Sequence, residues 1–296
     1  MNQEIGKKLL SILKVEQVKK DEPMKIHTTF RVGGPASYFV TPETEEEVAK
    51  VIEVCTQENV PYYIVGNGSN LLVGDKGFRG AIIQLYKSMG TFQVEGNQIT
   101  AQAGCSLAQI ANAALDAALT GFEFAAGIPG TLGGAVVMNA GAYGGEMKDV
   151  LTSVRVMTEE GEIMELPAEK LGLGYRTSII PEKRYIVLGA VISLTEGKKE
   201  EIKAQMDDLR QKRVSKQPLE YPSAGSTFKR PEGYFAGKLI QDSGLKGFTV
   251  GGAQVSEKHS GFVINKGNAT AADVMELIRQ VTVKVKEDTG VTMEPE

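Results

Sequence analysis

The sequence predicts a mixed α+β protein with more than one domain, and three observations support this. The chain has 296 residues, which is more than a single hydrophobic core usually organises. Hydrophobic residues make up 42% of it and charged residues 24%, as in ordinary globular proteins. Helical apolar stripes alternate with short runs of strand-forming residues along the chain. We therefore expect two or three domains built from helices and sheets together.

Helix signals mark three segments in the first half of the chain. The apolar spacing of residues 5–13 predicts a short opening helix. The residues Thr44–Glu47 form a capping-box pattern, and the apolar stripe of Val48–Cys55 continues it as a second helix. Residues 106–119 are rich in alanine and leucine and predict a third helix, with Gly121 at the place of a C-cap.

Strand signals and a change of composition complete the pattern. Strands are predicted at residues 61–65, 71–73, 81–85, 154–157, 162–166 and 185–194, with a hairpin turn at Glu95–Asn97. From Lys198 a highly charged helix, ended by Pro218, is typical of a connector to another domain. Beyond it we expect helices at 234–242 and 271–287, strands near 248–253 and 262–265, and a last strand from residue 291.

Charge and residue counts exclude several classes of protein. A net charge of −4 argues against a general nucleic-acid binder, which is normally basic. Two cysteines, Cys55 and Cys105, and two histidines, His27 and His259, lack the spacing of a metal site and fit a reducing compartment. No run of apolar residues is long enough to span a membrane, and the N-terminus does not have the pattern of a secretory signal. We therefore expect a cytoplasmic protein with no resident metal.

One glycine-rich stretch is unusual for its lack of charge. Eight glycines lie between Gly121 and Gly145, and no charged residue interrupts residues 124–145. Glycine at this density lets the backbone bend and approach a ligand closely. The composition predicts a buried loop whose backbone N–H groups bind an anion. A tight, glycine-packed turn in a core explains the same composition, and the stretch alone does not decide between the two.

A second loop, Gly66–Asn70, and a basic segment raise similar alternatives. The loop follows a predicted strand, so its glycines, serine and asparagines are suited to cradling a phosphate. A plain hairpin turn is the commoner identity of such a loop. Six basic residues and one acidic residue lie within Arg210–Arg230, which fits either a solvated face or a site for a diphosphate.

Taken together, these motifs resemble one family, the UDP-N-acetylenolpyruvoylglucosamine reductases, also called UDP-N-acetylmuramate dehydrogenases. The matching pieces are TTFRVGGPA, VGNGSNLLV, AGIPGTLGGAVVMNAGAYG, GYRTS, YPSAGSTFKRP, LIQDSGLKGFTVGGAQVS, HSGFVIN and the terminal MEPE. They span nearly the whole chain in the order of the family, and the ordered set is far more specific than any single motif.

The resemblance implies a flavin-binding fold of the vanillyl-alcohol-oxidase (PCMH) type with three parts. Residues 1–79 and 80–203 would be two α/β subdomains that hold FAD, the closing strand near 291–296 rejoining the first. Residues 204–290 would form a smaller α/β domain for the UDP-sugar. The short connection after Tyr175 implies the type II form, which lacks a tyrosine-bearing loop insertion.

The resemblance also implies a reaction of peptidoglycan precursor synthesis. NADPH reduces tightly but non-covalently bound FAD and leaves, and UDP-N-acetylglucosamine enolpyruvate is then reduced to UDP-N-acetylmuramate. Arg176 matches the arginine that stabilises the developing negative charge, Ser226 the proton donor to the α-carbon, and Glu296 the glutamate that polarises the intermediate. By composition alone these residues would be a surface arginine, a turn serine and a solvated terminal carboxylate.

The remaining expected contacts follow from the same motifs. For FAD they are Arg31, Val32, Gly33, Gly66, Asn67, Gly68, Ser69, Asn70, Gly104, Gly130, Thr131, Gly133, Gly134, Asn139 and Ala140. For the substrate they are Tyr175, Lys216, Lys229 and His259. We expect a monomer that binds the UDP-sugar and NADPH and has no nucleic-acid or membrane partner.

Two other functions are weighed against this one. An alcohol oxidase or dehydrogenase on the same fold would not need the set of Arg176, Ser226 and Glu296, and these relatives often attach flavin covalently through histidine. A non-catalytic nucleotide-binding protein would keep the glycine loops but would need neither an acid nor an arginine at the flavin. Both alternatives are therefore disfavoured by the complete set of motifs.

Overall fold

The structure, a computed structural model, describes residues 3–296, and the chain divides into two units. Unit 1 contains the described residues up to Glu22, together with Ala36–Asn67 and Arg79–Gln211. Unit 2 contains Pro23–Pro35, Gly68–Phe78 and Lys212–Glu296. Each unit is thus assembled from three stretches of chain, whereas the three-part division expected from the sequence stays a prediction.

The helices form where the sequence supplies caps and apolar stripes. They are α1 (Gln3–Ile12), α2 (Glu45–Gln57), α3 (Leu107–Asp116), α4 (Leu132–Val137), α5 (Lys199–Lys216), α6 (Ala236–Asp242) and α7 (Ala271–Thr289). In α2 the Thr44 side chain accepts a hydrogen bond from the Glu47 N–H, and the predicted stripe from Val48 to Cys55 is buried. In α3 Ser106 and Gln109 form a full capping box. Both predicted helices are therefore confirmed, although α3 is shorter than expected.

The strands of unit 1 form two main sheets and two small pairs. They are β1 (Val18–Pro23), β2 (Pro35–Val40), β3 (Tyr62–Val65), β4 (Phe78–Gln84), β5 (Phe92–Glu95), β6 (Gln98–Gln102), β7 (Leu119–Thr120), β8 (Gly141–Ala142), β9 (Gly145–Glu146), β10 (Leu151–Met157), β11 (Ile163–Pro167), β12 (Ile186–Ser193) and β13 (Thr195–Glu196). One sheet has the order β1-β2-β4-β3, in which β3 and β4 run parallel. The other is antiparallel, with the order β11-β10-β12-β6-β5. Short antiparallel pairs join β7 to β13 and β8 to β9.

Position in the five-stranded sheet explains the composition of its strands. The strand β12 lies between two neighbours and is buried along most of its length, which is why it is almost continuously apolar. The edge strand β11 alternates between exposed and half-buried residues. Its predicted hairpin with β10 is confirmed, with Val156 opposite Met164. The core of unit 1 lies between these sheets and the helices α1 to α4.

Unit 2 is a small antiparallel sheet packed against α7. Its strands are β14 (Ser223–Ser226), β15 (Thr249–Val250), β16 (Ala253–Val255) and β17 (Phe262–Asn265), in the order β14-β17-β16-β15. Its core combines Phe30 and Val32, from an early part of the chain, with α7 residues such as Leu277 and Val281. Gly290 ends α7 in the left-handed conformation, with φ of +75°, as glycine at this position predicts.

A loop from the first third of the chain caps α7. One carboxylate oxygen of Asp75 accepts the Ala271 N–H at 2.7 Å, and the other accepts the Ala272 N–H at 2.9 Å. Thr270 and Asp273 complete a capping box at the same helix end. An acceptor with negative charge is favourable here because the first N–H groups of a helix lack partners within it.

Three local expectations differ from the structure. Residues 71–73 form no strand: Leu72 packs against the core of unit 2 and Val73 is buried, but their backbone joins no sheet. The helix α3 ends at Asp116 and Ala118 takes the left-handed conformation, so Gly121 is not its C-cap. The segment from residue 291 makes a single bridge, Pro295 with Phe228, instead of a strand. Within residues 3–296, no helix combines the length and apolar character of a membrane span.

Candidate active site

The two glycine loops predicted from the sequence meet in unit 1. A Cβ on Gly66 would lie 2.1 Å from Thr131 Oγ1, so only glycine allows this approach. Asn67 Nδ2 donates a hydrogen bond to the Pro129 carbonyl oxygen at 2.8 Å. The start of the loop Gly66–Asn70 therefore contacts the middle of the glycine-rich stretch, at residues 129–131.

The backbone of the glycine-rich stretch is partly used for packing. The Leu132 N–H donates to Cys105 O and the Gly133 N–H to Ala103 O, both at 2.9 Å. A Cβ on Gly133 would lie 2.9 Å from Ala103 Cβ, whereas one on Gly134 would meet nothing closer than 3.8 Å. The first glycine thus lets α4 pack tightly, and the second leaves backbone exposed.

Gly104, another expected cofactor contact, is buried for a similar reason. A Cβ there would lie 1.9 Å from Leu85 O, and the Gly104 N–H donates to Met89 O at 2.8 Å. Because this N–H already has a partner, any contact of Gly104 with a ligand would have to use other atoms.

Asn139 is fully enclosed, and each polar group of its side chain has a partner. Its Nδ2 donates to Glu146 Oε2 at 2.8 Å and to Gly174 O at 3.1 Å, and its Oδ1 accepts the Lys148 N–H at 2.8 Å. Its backbone is left-handed, with φ of +45°, a conformation that asparagine tolerates better than most residues. The side chain expected to touch FAD is therefore engaged with protein. The N–H groups of Asn139 and Ala140 donate to the carbonyl oxygens of α4.

Arg176 lies at the tip of a tight turn. The backbones of Gly174 and Thr177 bond to each other in both directions across it, at 3.1 and 3.3 Å. Arg176 has φ of +55°, and its guanidinium lies 5.2 Å from the centre of the Tyr175 ring, a cation–π arrangement. The turn presents both predicted residues together, and Tyr175 is 55% exposed.

In unit 2, Gly68 lies against residues 27–29, which lead directly into the segment Arg31–Gly33. A Cβ on Gly68 would lie 2.1 Å from the His27 carbonyl oxygen, and Gly68 has φ of +62°. The Thr29 N–H donates to the Gly68 carbonyl oxygen at 3.1 Å. These predicted cofactor residues are thus neighbours within unit 2.

The Val32 side chain packs in the core of unit 2. It is 2% exposed and belongs to the core of unit 2, and its carbonyl oxygen accepts a hydrogen bond from Thr28 Oγ1 at 3.1 Å. A Cβ on Gly33 would lie 2.8 Å from Val73 Cβ. The side chain of Val32 is therefore committed to packing.

The backbones of Ser226 and Glu296 lie close together in unit 2, joined through the neighbour of Ser226. The Glu296 N–H donates to the Thr227 carbonyl oxygen at 2.9 Å, and Pro295 bridges Phe228 next to it. The register places Glu296 opposite Thr227, one residue along from Ser226. The terminal glutamate is half-buried and held by a backbone bond, in contrast to the frayed end that its position alone suggests.

His259 and Ser226 approach a common glycine. A Cβ on Gly261 would lie 3.0 Å from His259 Cε1 and 3.3 Å from Ser226 Oγ. His259 Nδ1 accepts the Gly261 N–H at 3.1 Å, so the proton of the neutral ring sits on Nε2. Burial lowers the pKa of His259 below its ordinary value. The neutral ring of His259 therefore keeps a donor, Nε2–H, that its bond to Gly261 does not use.

The two predicted substrate lysines differ in their surroundings. Lys229 Nζ lies 3.4 Å from Glu294 Oε2, in an ion pair between the two backbones that meet near Glu296. Lys216 is the exposed last residue of α5. Both belong to unit 2, and Arg176 belongs to unit 1.

Other reactive groups in the described part of the chain do not form a second centre. Burial raises the pKa of both Cys55 and Cys105 to about 11, so their thiols stay protonated and poorly nucleophilic. Across residues 3–296, no grouping of His, Cys, Asp and Glu is suited to a metal ion.

The structure also identifies residues that sequence reasoning missed. Ser178 Oγ donates to the Val137 carbonyl oxygen at 2.6 Å, and Glu146 accepts from Asn139. Thr227 Oγ1 accepts the Val263 N–H at 3.0 Å behind the site serine. Ser178 is the last residue of the GYRTS motif, which was a usable signal, whereas nothing in the sequence pairs Glu146 with its partner.

Comparison with known proteins identifies the family. Residues 36–167 match the family model "FAD binding domain", and residues 217–296 match "UDP-N-acetylenolpyruvoylglucosamine reductase, C-terminal domain". The UDP-N-acetylenolpyruvoylglucosamine reductase of Caldanaerobacter subterraneus is 56% identical over 289 residues, which cover 98% of this chain and 95% of the relative. The crystal structure of the Thermus caldophilus enzyme superposes with a TM-score of 0.81 at 39% identity, covering 94% of this chain and 97% of that one.

A more distant structure shows the fold alone. An alkyldihydroxyacetonephosphate synthase superposes with a TM-score of 0.52 at 18% identity, over 66% of this chain and 41% of that one. With the FAD-binding model, this confirms the α+β fold of the vanillyl-alcohol-oxidase type.

The residues of unit 1 fit the cofactor that this fold implies. Gly66 and Asn67 meet the glycine-rich stretch, and Gly130 and Gly134 leave backbone accessible beside that contact. Accessible backbone of this kind suits the pyrophosphate of a dinucleotide. The match to the reductases extends over nearly the full length of both chains, and the protein belongs to the UDP-N-acetylenolpyruvoylglucosamine reductase family of FAD-dependent oxidoreductases.

Proposed function

We propose that the protein uses NADPH, through bound FAD, to reduce UDP-N-acetylglucosamine enolpyruvate to UDP-N-acetylmuramate, a peptidoglycan precursor. The observation that supports this most directly is the backbone bond from Glu296 to Thr227, which draws the end of the chain to the neighbour of Ser226. The bond places the backbone of the proposed glutamate one residue from that of the proposed proton donor, where both residues can act on one substrate.

FAD would be held chiefly by backbone. In unit 1 the accessible candidates are Gly66, Asn67, Gly130 and Gly134, and in unit 2 they are Ser69 and Asn70, since Gly68 is buried against the His27 carbonyl oxygen. Bound FAD would supply the hydride chemistry, first as acceptor from NADPH and then as donor to the vinyl carbon of the substrate. The two substrates would thus use the flavin in turn, in a ping-pong sequence.

Arg176 is proposed to bind the carboxylate of the enolpyruvyl group. Hydride addition at the β-carbon leaves negative charge on the α-carbon, and this charge spreads into the adjacent carboxylate. A guanidinium carries a permanent charge and several N–H donors in a fixed plane, so its attraction grows as the carboxylate gains charge. This is a stronger interaction in the transition state than in the ground state, which is the requirement for catalysis.

Ser226 is proposed to deliver the proton from Oγ to the α-carbon, with Glu296 as hydrogen-bonding support. A serine hydroxyl is a weak acid and is effective only toward a strongly basic carbanion. Tyr175, Lys216, Lys229 and His259 are proposed to bind the UDP-sugar, the lysines through its diphosphate. A monomeric state and a cytoplasmic location also belong to this proposal, and light scattering after size-exclusion chromatography measures the first.

The test separates the two half-reactions in anaerobic rapid mixing. In the purified enzyme, NADPH should bleach the visible flavin absorption, and the enolpyruvyl sugar should restore it. Ser226→Ala should bleach at the normal rate and recover at least about a hundredfold more slowly, because general acid catalysis typically contributes this much. Ser223→Ala, the same change on the same strand, is the matched control and should behave as wild type.

Two results contradict the proposal. Folded protein that stays colourless when FAD is offered would exclude the flavoenzyme itself. Equal slowing of both half-reactions in Ser226→Ala would exclude the serine as the proton donor. It would not contradict the proposed overall reaction.

A further inference from the structure

The turn that presents Arg176 is strained and needs support from its surroundings. A left-handed backbone costs a residue with a side chain about 1 kcal/mol, and Arg176 has φ of +55°. The turn closes through two backbone bonds between Gly174 and Thr177, at 3.1 and 3.3 Å. Two long bonds leave the backbone of the turn dependent on flanking contacts, and the position of this backbone sets where the arginine side chain starts.

Asn139 provides the first flanking contact. Its Nδ2 donates to the carbonyl oxygen of Gly174, the residue at which the turn begins. Asn139 is 0% exposed and is itself immobilised by Glu146 on one side and by the Lys148 N–H on the other. The amide therefore links the glycine-rich stretch directly to the base of the turn.

Ser178 provides the second contact on the opposite side. Its Oγ donates to Val137 O, at the end of α4, at 2.6 Å, and the Ile180 N–H donates to the same Oγ at 3.3 Å. Ser178 is 8% exposed. The turn is thus fastened at both ends to one short segment, residues 137–139.

We propose that Asn139 is a positioning residue that holds Arg176 in its productive place, assisted by Ser178. The inference rests on the proposed function, since it concerns the orientation of the arginine assigned to the substrate carboxylate. It gives Asn139 a role different from contact with the cofactor. The same stretch that contributes to the FAD site in unit 1 then also sets the geometry of the reaction.

The identity of the residue matters because its amide must donate and accept at once. Aspartate has the same shape but no N–H, so Asn139→Asp cuts the bond to Gly174 and sets two carboxylates against each other at Glu146. Adding Glu146→Gln removes that repulsion, because the glutamine amide donates to the new aspartate. In the double variant N139D/E146Q, the contacts with residue 146 and Lys148 persist and the link to Gly174 is lost. Glu146→Gln alone is the matched control.

The experiment measures both half-reactions and the exposure of the turn. In N139D/E146Q, reduction of the flavin by NADPH should stay within about twofold of E146Q. Reoxidation by the enolpyruvyl sugar should slow by about a hundredfold, as small displacements of a catalytic group can cause. Hydrogen exchange of the Thr177 amide should accelerate, because its acceptor Gly174 O has lost its anchor. Ser178→Ala, a milder change, should show the same pattern to a lesser degree.

Arg176→Ala tests whether Asn139 acts through the arginine. If it does, N139D/E146Q added to Arg176→Ala slows reoxidation no further than Arg176→Ala alone. The inference is overturned if the combined variant reoxidises more slowly than Arg176→Ala by the full factor that N139D/E146Q causes on its own. It is also overturned if N139D/E146Q and Ser178→Ala both reoxidise at the normal rate while Arg176→Ala is slow. If Arg176→Ala itself reoxidises normally, the role of the arginine in the proposed function fails instead, which is a distinguishable result.

Discussion

Substitutions of the adjacent glycines Gly133 and Gly134, at the start of α4, test separately the packing of this helix and the binding of the cofactor. In Gly133→Ala the new Cβ would lie 2.9 Å from Ala103 Cβ and 3.3 Å from Ala103 O. Carbon atoms in contact prefer about 3.5–4.0 Å, so α4 would have to move outward by roughly half an ångström or more. That movement stretches the hydrogen bond from the Gly133 N–H to Ala103 O, now 2.9 Å. We expect a loss of about 1–3 kcal/mol in the free energy of unfolding.

Gly134→Ala is the control in the next position of the same helix. No atom lies closer than 3.8 Å to its new Cβ, and alanine is favoured over glycine in a helix by up to about 1 kcal/mol. The apoprotein should therefore be as stable as wild type or more so. Since Gly134 is exposed where we propose that the FAD pyrophosphate binds, affinity for FAD should fall by about tenfold or more.

Calorimetry of the two apoproteins and a fluorescence titration with FAD measure these effects. The melting temperature of Gly133→Ala should drop by about 2–4 °C for each kcal/mol lost. Working without FAD avoids the stabilisation that a bound ligand adds. An unchanged Gly133→Ala apoprotein, or a destabilised Gly134→Ala apoprotein, would refute the assignment of packing to the first glycine and exposure to the second.

Three further outcomes follow from the structure. Asp75→Ala removes both carboxylate acceptors from the N-terminus of α7 and should cost about 1 kcal/mol in chemical denaturation. Burial keeps the pKa of His259 below 6.5, so on acidification the imidazole takes up a proton in the unfolded chain before it does so in the folded one. The free energy of unfolding should therefore fall as the pH drops below about 6.5. In His259→Gln this fall should be smaller, as melting curves at a series of pH values measure. Cys55 and Cys105 are almost completely buried, and their thiol pKa values are about 11. A thiol reagent should therefore react with them only at the rate of unfolding, and labelling of the folded protein within seconds would contradict their burial.

Much of the fold is predictable because its signals are local. The start of α2 is predicted from the cap residue Thr44, β12 from its own apolar run, and the end of α7 from the glycine that follows it. The structure has all three as expected. Residues 71–73 have the same apolar character as a strand but form none. Leu72 instead packs against the core of unit 2, a tertiary contact that strand propensity does not report.

The site is predictable only in part, because sequence does not distinguish the uses of a residue. Gly133 and Gly134 are the same residue side by side, yet one is needed for packing and the other is exposed. Asn139 lies in a motif that suggests ligand contact, whereas its side chain bonds to Gly174, 35 positions away. Val32 lies between polar and glycine neighbours but joins a core. Such assignments depend on which backbone atoms become neighbours after folding.

The discontinuity of unit 2 has a consequence for how the chain is made. Its first two stretches, Pro23–Pro35 and Gly68–Phe78, leave the ribosome before Arg79–Gln211, and its sheet and α7 come only afterwards. At 5–20 residues per second, those roughly 130 intervening residues take on the order of ten seconds to synthesise. During that interval the Phe30 side chain and the Asp75 carboxylate lack their partners in the C-terminal stretch, so early folding must proceed around an unfinished core. A fragment that begins at Lys212 would conversely lack both groups, so this C-terminal stretch is not a module that recombination can transfer by itself.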